Sequence, residues 1–305
     1  MKPTVVLTAA FPSIARAILA PLAEIVEHPA EQERSEDEII TLLSEADAAI
    51  TLLSDPLTRR VLASNPNLHM VANYAVGFNN VDVAAARELG VIVTNTPGVL
   101  TDATADLTMA LILAVTRRIV EGVDEIRATH RAEWEPLKLL GMSLQGKRLG
   151  IIGLGRIGRA VAERARAFGM EVIWAGRGEP LDELLSTSDV VSVHAPLSGE
   201  THHLIDAAAL SKMKRDAYLI NTARGPIVDQ TALCDALEAG RLRGAGLDVF
   251  EDEPRVNPRL LALPSVVAIP HIGSATEEAR SAMAKIAATD VARFLRGEKP
   301  INVIT

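Results

Sequence analysis

The stretch that most constrains this chain is Arg148-Leu149-Gly150-Ile151-Ile152-Gly153-Leu154-Gly155-Arg156-Ile157-Gly158. Leu149 to Ile152 is an apolar run with the length of a buried strand, and the three glycines after it fall at G-x-G-x-x-G spacing. From Arg159 the pattern turns helical, with Val161, Ala165 and Phe168 on one face and Gly169 as the stop. A second strand is expected at Glu171–Ala175. Strand, tight turn, helix and strand in this order predict a dinucleotide-binding βαβ unit. Gly153 permits the turn, Gly155 lets backbone N–H groups approach a pyrophosphate, and Gly158 allows the helix to pack closely on the strand. The helix N-terminus presents the positive end of its dipole to the phosphates.

The hundred residues before this unit alternate between short apolar runs and helical patterns. Strands are expected at 5–8, 25–27, 48–53, 68–73 and 91–94, with helices at 14–19, Glu36–Leu43, 57–62 and Val83–Leu89 between them. That rhythm implies a parallel sheet covered on both faces. It carries no Gly-rich loop, so it is a candidate substrate domain. Asn95-Thr96-Pro97-Gly98 is turn chemistry and marks a domain crossing. A long helix is expected over 102–120, capped at Thr101 and apolar nearly all round, which predicts burial between domains or subunits. Residues 123–140, with Trp134 and Pro136, read as an irregular arm. Beyond the glycine loop, strands are expected at 190–194, 217–221, 244–249 and 266–269, and a last helix at 275–295 is placed to return to the first domain.

Composition narrows the function. A net charge of −8 with 31 scattered basic residues argues against nucleic acid, which wants a basic stripe. The single Cys234 excludes a disulfide framework and any multi-cysteine metal site, and no metal is expected. No run has transmembrane length and the N-terminus lacks a signal-peptide pattern, so a cytoplasmic protein without membrane contact is expected.

In an open α/β sheet ligands bind beyond the carboxyl ends of the strands, where Arg224, Asp248 and His271 all fall. Hydride transfer to a carbonyl needs a proton donor, a group to polarise the oxygen and a holder for the substrate carboxylate. His271 suits the first role because imidazole changes charge near neutral pH. Arg224 suits the others, offering a fork that never loses its proton. Glu253 follows a strand end and is the candidate partner of His271. At the tip of the second nucleotide-domain strand, where an NAD site places an acid, stand Gly176 and Arg177. Glycine leaves room for a 2′-phosphate and arginine offers it a bidentate partner, so NADP(H) is favoured. Two alternatives stay open. Arg177 stacks on adenine or faces water, and Glu179, Asp182 or Glu183 binds a ribose hydroxyl, which keeps NAD(H) possible.

Several motifs, in order, resemble the D-isomer-specific 2-hydroxyacid dehydrogenases. They are Gly153 to Gly158, Asn221-Thr222-Ala223-Arg224-Gly225, Gly246-Leu247-Asp248-Val249-Phe250, Asp252-Glu253-Pro254 and Pro270-His271-Ile272-Gly273-Ser274-Ala275-Thr276. Asn73-Tyr74-Ala75-Val76-Gly77-Phe78-Asn79-Asn80-Val81-Asp82 is similar to that family's substrate loop. Gly176-Arg177, Trp134 and the segment after His271 look most like the glyoxylate/hydroxypyruvate reductases.

The resemblance implies an α/β fold in which a Rossmann-type nucleotide domain, residues 99–275, is inserted in a flavodoxin-like substrate domain, residues 1–98 plus 276–305. It implies His271 as proton donor, Glu253 as its partner, and Arg224 as ligand to carboxylate and carbonyl. Backbone N–H groups at Val76 and Gly77 would hold the carboxylate, with Leu53 shaping the pocket. Gly155, Arg156 and Ile157 would contact the pyrophosphate, Thr104 the nicotinamide half, and Pro196 and Thr222 the dinucleotide groove. Asp248 and Gly273 would lie near nicotinamide and substrate. The expected activity is NADPH-dependent reduction of glyoxylate or hydroxypyruvate to the D-2-hydroxy acid by a homodimer. Its rivals are a broader D-2-hydroxyacid, a phosphoglycerate or a phosphite dehydrogenase, and, from another class, a nucleotide-sensing regulatory protein. One departure stands out. Family members usually carry a helix and a further strand where this chain has only Arg177 to Pro180, so the adenosine side of the pocket is abbreviated.

Overall fold

A computed structural model of the chain describes residues 2–29 and 34–305. It divides into two compact units, one formed by Met1–Leu100 with Ala275–Thr305 and the other by Thr101–Ser274.

In the first unit the chain runs β1 (Thr4–Leu7), α1 (Ser13–Leu19), β2 (Glu24–Glu27), α2 (Glu36–Leu43), β3 (Ala48–Thr51), α3 (Arg59–Ala63), β4 (Met70–Asn73), α4 (Val83–Leu89) and β5 (Ile92–Thr94). The five strands form one parallel sheet in the order β2-β1-β3-β4-β5, the flavodoxin-like arrangement. Strands β3 and β4 are buried along their whole length, which explains the apolar runs at 48–50 and 70–72. The helix starts are written in the sequence. Ser35 and Glu38 form a reciprocal capping box on α2, and Thr58 and Asp82 cap α3 and α4 through their side chains.

The second unit opens with α5 (Thr101–Thr116) and α6 (Ile119–Thr129) and continues through β6 (Arg148–Ile152), α7 (Arg156–Ala167), β7 (Glu171–Ala175), α8 (Asp182–Thr187), β8 (Val190–Val193), α9 (Ala207–Lys212), β9 (Tyr218–Asn221), α10 (Gln230–Glu238), β10 (Gly244–Leu247), α11 (Pro258–Leu261) and β11 (Val266–Ala268). The six strands are all parallel, in the order β7-β6-β8-β9-β10-β11. The order reverses between β6 and β8, and the glycine loop leaves the sheet at that switch point. Set against the Rossmann order, the strand that would flank β7 is missing, so β7 is an edge and Trp174 on it is half exposed. The shortened segment between Ala175 and Asp182 has this structural consequence. Finally α12 (Glu277–Leu295), capped by the Thr276 side chain, carries the chain back to the first unit, where it packs on α1, β3 and β4.

The expected 102–120 helix is corrected by the structure. It ends at Thr116, Arg118 takes a left-handed conformation at φ +55°, and a second helix, α6, follows. Hence residues 123–129 of the expected irregular arm are helical, while 130–140 carry no helix or strand. The helix α5 is buried within its own unit, against α7 and strands β9 to β11, through Ala105, Met109, Ile112 and Val115. Ala110 is exposed, so the helix expected to be apolar and buried nearly all round keeps one open face.

Candidate active site

Two close contacts and one open position shape the glycine loop. Gly153 adopts φ +93°, and a Cβ there would meet the Ala195 amide nitrogen at 2.7 Å. A Cβ on Gly158 would lie 2.3 Å from the Gly153 carbonyl oxygen, so only glycine lets α7 sit this close to β6. Gly155, the N-cap of α7, meets nothing within 4 Å, and no side chain caps the helix. Open space, a bare N-cap and first-turn amides fit the pyrophosphate of a dinucleotide. Arg156 is exposed and Ile157 half-buried beside this opening.

The loops after β7 and β8 flank the glycine loop. In the first, Glu179 Oε2 accepts the Gly176 amide at 2.5 Å. In the second, Pro196 is exposed and its carbonyl accepts the Thr201 hydroxyl at 2.7 Å. Arg177 reaches across, its Nε and Nη2 each donating to one oxygen of Glu200 at 2.8 Å. The ion pair raises the guanidinium pKa and lowers that of the carboxyl, through the hydrogen bonds first and the charges second. Sequence reasoning missed Glu200. The signal was available, since strands β7 and β8 both neighbour β6 and their following loops must face each other.

At the other half of the sheet, side chains from three loops converge. Asn221 ends β9 and folds the next turn on itself, its Oδ1 accepting the Ala223 amide at 3.0 Å and its Nδ2 donating to the Arg224 carbonyl at 2.9 Å. Gly225 presses against the Phe250 carbonyl, where a Cβ would lie at 1.8 Å. Arg224 is thereby fixed beside the loop that carries Glu253. Burial lowers the pKa of its guanidinium, opposed by the Glu253 charge, yet arginine remains a cation at neutral pH.

His271 Nδ1 lies 2.8 Å from Glu253 Oε2, and Glu253 Oε1 accepts the Phe250 amide at 2.8 Å. Burial works to raise the Glu253 carboxyl, but the hydrogen bond and charge of His271, the Phe250 amide and Arg224 outweigh it and hold the pKa below the ordinary value. His271 itself sits at φ +51°, a left-handed conformation uncommon for a side-chain-bearing residue. That twist turns the chain so that the amides of Ile272 and Gly273 both donate to Asp248, at 2.6 and 2.8 Å. Asp248 is 1% exposed, and burial raises its pKa despite the two amides and the neighbouring imidazole.

A line of threonines ties this cluster to α5. Thr104 Oγ1 donates to the Gly273 carbonyl at 3.0 Å, Thr108 Oγ1 donates to the Thr104 carbonyl at 2.8 Å, and Thr108 and Thr222 hydroxyls meet at 2.9 Å. Thr104 and Thr222 are both buried. The structure therefore joins the loops after β9, β10 and β11 into one network around His271, Glu253, Asp248 and Arg224.

Val76, Gly77 and Leu53 belong to the first unit. The Val76 carbonyl accepts Asn95 Nδ2 at 2.8 Å and the Gly77 carbonyl accepts Asn73 Nδ2 at 2.9 Å. Leu53 lies on the loop after β3, which is pinned at both ends. Asp55 takes the Leu52 amide at 2.8 Å and the Thr8 hydroxyl at 2.5 Å, and Asn80 Nδ2 donates to the carbonyls of Leu52 and Asp55. Burial raises the Asp55 carboxyl against these bonds. Asn80, Asn73 and Asn95 were missed as positioning residues, because an asparagine-rich loop reads from sequence as turn chemistry alone.

Among the described residues no group of His, Cys, Asp and Glu could hold a metal ion, and no helix is long and apolar enough to cross a membrane.

Comparison with known proteins gives the family. Residues 109–273 match the family model described as D-isomer specific 2-hydroxyacid dehydrogenase, NAD binding domain. The glyoxylate reductase of Thermococcus litoralis is 43% identical over 321 aligned positions, covering 100% of this chain and 97% of the relative. That of Aeropyrum pernix is 47% identical over 286 positions, covering 87% and 85%. Among solved structures, a protein from Thermus thermophilus superposes with a TM-score of 0.94 at 44% identity, covering 99% of this chain and 100% of that one. An NADPH-dependent glyoxylate/hydroxypyruvate reductase from Sinorhizobium meliloti, in complex with NADP and malonate, gives 0.86 at 29% identity, covering 100% and 97%. With its glycine loop, its His–Glu pair and relatives matched along the whole chain, this protein belongs to the D-isomer-specific 2-hydroxyacid dehydrogenases, nicotinamide-dependent oxidoreductases acting on a CH–OH group.

Proposed function

We propose that this protein reduces a small 2-oxo acid, glyoxylate to glycolate or hydroxypyruvate to D-glycerate first, with NADPH preferred over NADH. The observation that carries the reading is the His271–Glu253 pair at 2.8 Å with Arg224 fixed beside it. The middle unit is the dinucleotide-binding domain and the unit built from both chain ends is the substrate domain. A bound nicotinamide supplies the hydride to the carbonyl carbon.

The residues do the rest. Glu253 accepts the Nδ1 hydrogen of His271, which leaves Nε2 to carry the proton to the carbonyl oxygen. A neighbouring carboxylate held ionised favours the imidazolium that reduction consumes. Arg224 spans substrate carboxylate and carbonyl oxygen, polarising the bond as negative charge develops. Val76 and Gly77 offer backbone N–H groups to the carboxylate, with Leu53 bounding the substrate. Gly153, Gly155, Arg156, Ile157 and Gly158 form the pyrophosphate cradle, Pro196 and Thr222 border the groove, and Asp248, Gly273 and Thr104 shape its nicotinamide end. Gly176 and Arg177 make the 2′-phosphate site. The glyoxylate and hydroxypyruvate reductases among its relatives support this substrate class.

We also propose a cytoplasmic homodimer, formed through α6 and residues 130–140. Ile126, Trp134, Leu137 and Leu140 are exposed there, and Trp134 stands 86% free.

The test is initial rates with glyoxylate, hydroxypyruvate and pyruvate at saturating NADPH and then NADH. The expected result is turnover of the first two with NADPH ahead. Equal or faster rates with NADH overturn the cofactor preference, and absence of turnover with all three overturns the substrate assignment.

A further inference from the structure

Arg177 and Glu200 are strongly exposed, and an ion pair in water contributes little to folding. Its position is the informative part. Arg177 follows Gly176 at the end of β7, on a turn closed by Glu179, whose carboxylate accepts the Gly176 amide and whose own amide returns to the Gly176 carbonyl at 3.3 Å. Glu200 lies on a second closed turn, in which Thr201 Oγ1 accepts the Ser198 amide at 2.8 Å and donates to the Pro196 carbonyl. Two short, internally bonded turns thus present opposite charges to each other beside the adenosine end of the dinucleotide groove.

The pairing uses the edge of the guanidinium that a phosphate would use. Nε and Nη2 are both committed, one to each carboxylate oxygen. A 2′-phosphate carries about −1.5 to −2 charges at neutral pH, so it competes with the carboxylate for the fork and is also repelled by it. A cofactor with a bare 2′-hydroxyl asks nothing of Arg177 and leaves the pair intact. The missing strand beyond β7 sharpens the effect, because no further element of the sheet covers this side of the tip.

We propose that Glu200 is a cofactor-choice residue. It occupies the Arg177 fork, must be displaced by the 2′-phosphate, and so holds NADPH affinity below what Arg177 alone would give while NADH stays usable. The proposal rests on the reading of Arg177 as the 2′-phosphate ligand, and the test separates the two.

The experiment measures dissociation constants of NADPH and NADH, through nicotinamide fluorescence, for the full-length wild type, Glu200→Gln, Arg177→Ala and the double variant. Both side chains are exposed, so the variants are expected to fold. Glu200→Gln should tighten NADPH about two- to ten-fold, the range set by the modest worth of a solvent-exposed charge contact, and move NADH less than about two-fold. The gain should shrink in the Arg177→Ala background to the small part that comes from direct repulsion. If Arg177→Ala weakens NADPH but Glu200→Gln does not tighten it, Glu200 has no part in the choice and the proposal fails alone. If Arg177→Ala leaves NADPH unchanged, the 2′-phosphate reading fails and the proposal with it.

Discussion

At the scale of single residues, the site is a set of strand ends, which is why much of it was legible. Arg224, Asp248 and His271 follow the last residues of β9, β10 and β11, and a parallel α/β sheet binds ligands there. Their partners were less legible. Nothing in spacing reveals that Asp248 holds two amides beyond His271, since that depends on the left-handed turn at His271. His271→Ala should lower kcat about 10²- to 10⁴-fold while NADPH binds as before. An unchanged kcat would remove His271 from the mechanism. Glu253→Gln should also lower kcat, by less, because the imidazole keeps its place but loses the charge that favours its protonated form. A separate histidine carries a pH prediction. His194, 2.9 Å from Ser192 Oγ, has its pKa lowered by burial from 6.5 to about 4. The unfolded chain takes up this proton first as pH falls, so stability declines from pH 6.5 to about 4, by roughly 3 kcal/mol at most. Denaturant unfolding at neutral and mildly acidic pH should show a shallower decline for His194→Gln; identical declines would contradict the assignment.

At the scale of elements, the glycine loop is the firmest link between sequence and structure. The strand, turn and helix predicted around Gly153, Gly155 and Gly158 appear as β6, an open N-cap and α7. The close approach of Gly158 to Gly153 makes a direct prediction. Gly158→Ala should cost about 1–3 kcal/mol of stability and weaken dinucleotide binding, because a methyl group against a backbone carbonyl forces α7 off β6. Thermal unfolding with and without NADPH measures both, and an undisturbed variant would contradict the packing described. The 102–120 helix was legible in type but not in extent. Its apolar residues run on past Thr116 into Ile119 and Val120, and only the left-handed Arg118 separates α5 from α6. No glycine or proline marks that break, so hydrophobic pattern alone could not find it.

At the scale of the whole molecule, alternation of apolar runs with helical patterns was enough to foresee two parallel sheets, and α12 returns to the first of them. Strand order was not legible in the same way. That β7 is an edge follows from the brevity of the segment after it, and the Arg177–Glu200 pair follows once β7 and β8 are placed on either side of β6. The exposed apolar residues of 119–140 predict a dimer by light scattering, and Trp134→Ser with Leu137→Ser should give a monomer. A wild type that is monomeric at micromolar concentration would contradict that surface assignment. Stereospecific reduction of a 2-keto acid is read best from the product itself. Hydroxypyruvate should be converted with excess NADPH and the chirality of the glycerate determined. The expected product is D-glycerate alone, with one NADPH consumed per molecule formed. L-glycerate, a racemate or an unconsumed cofactor would contradict the assigned reaction.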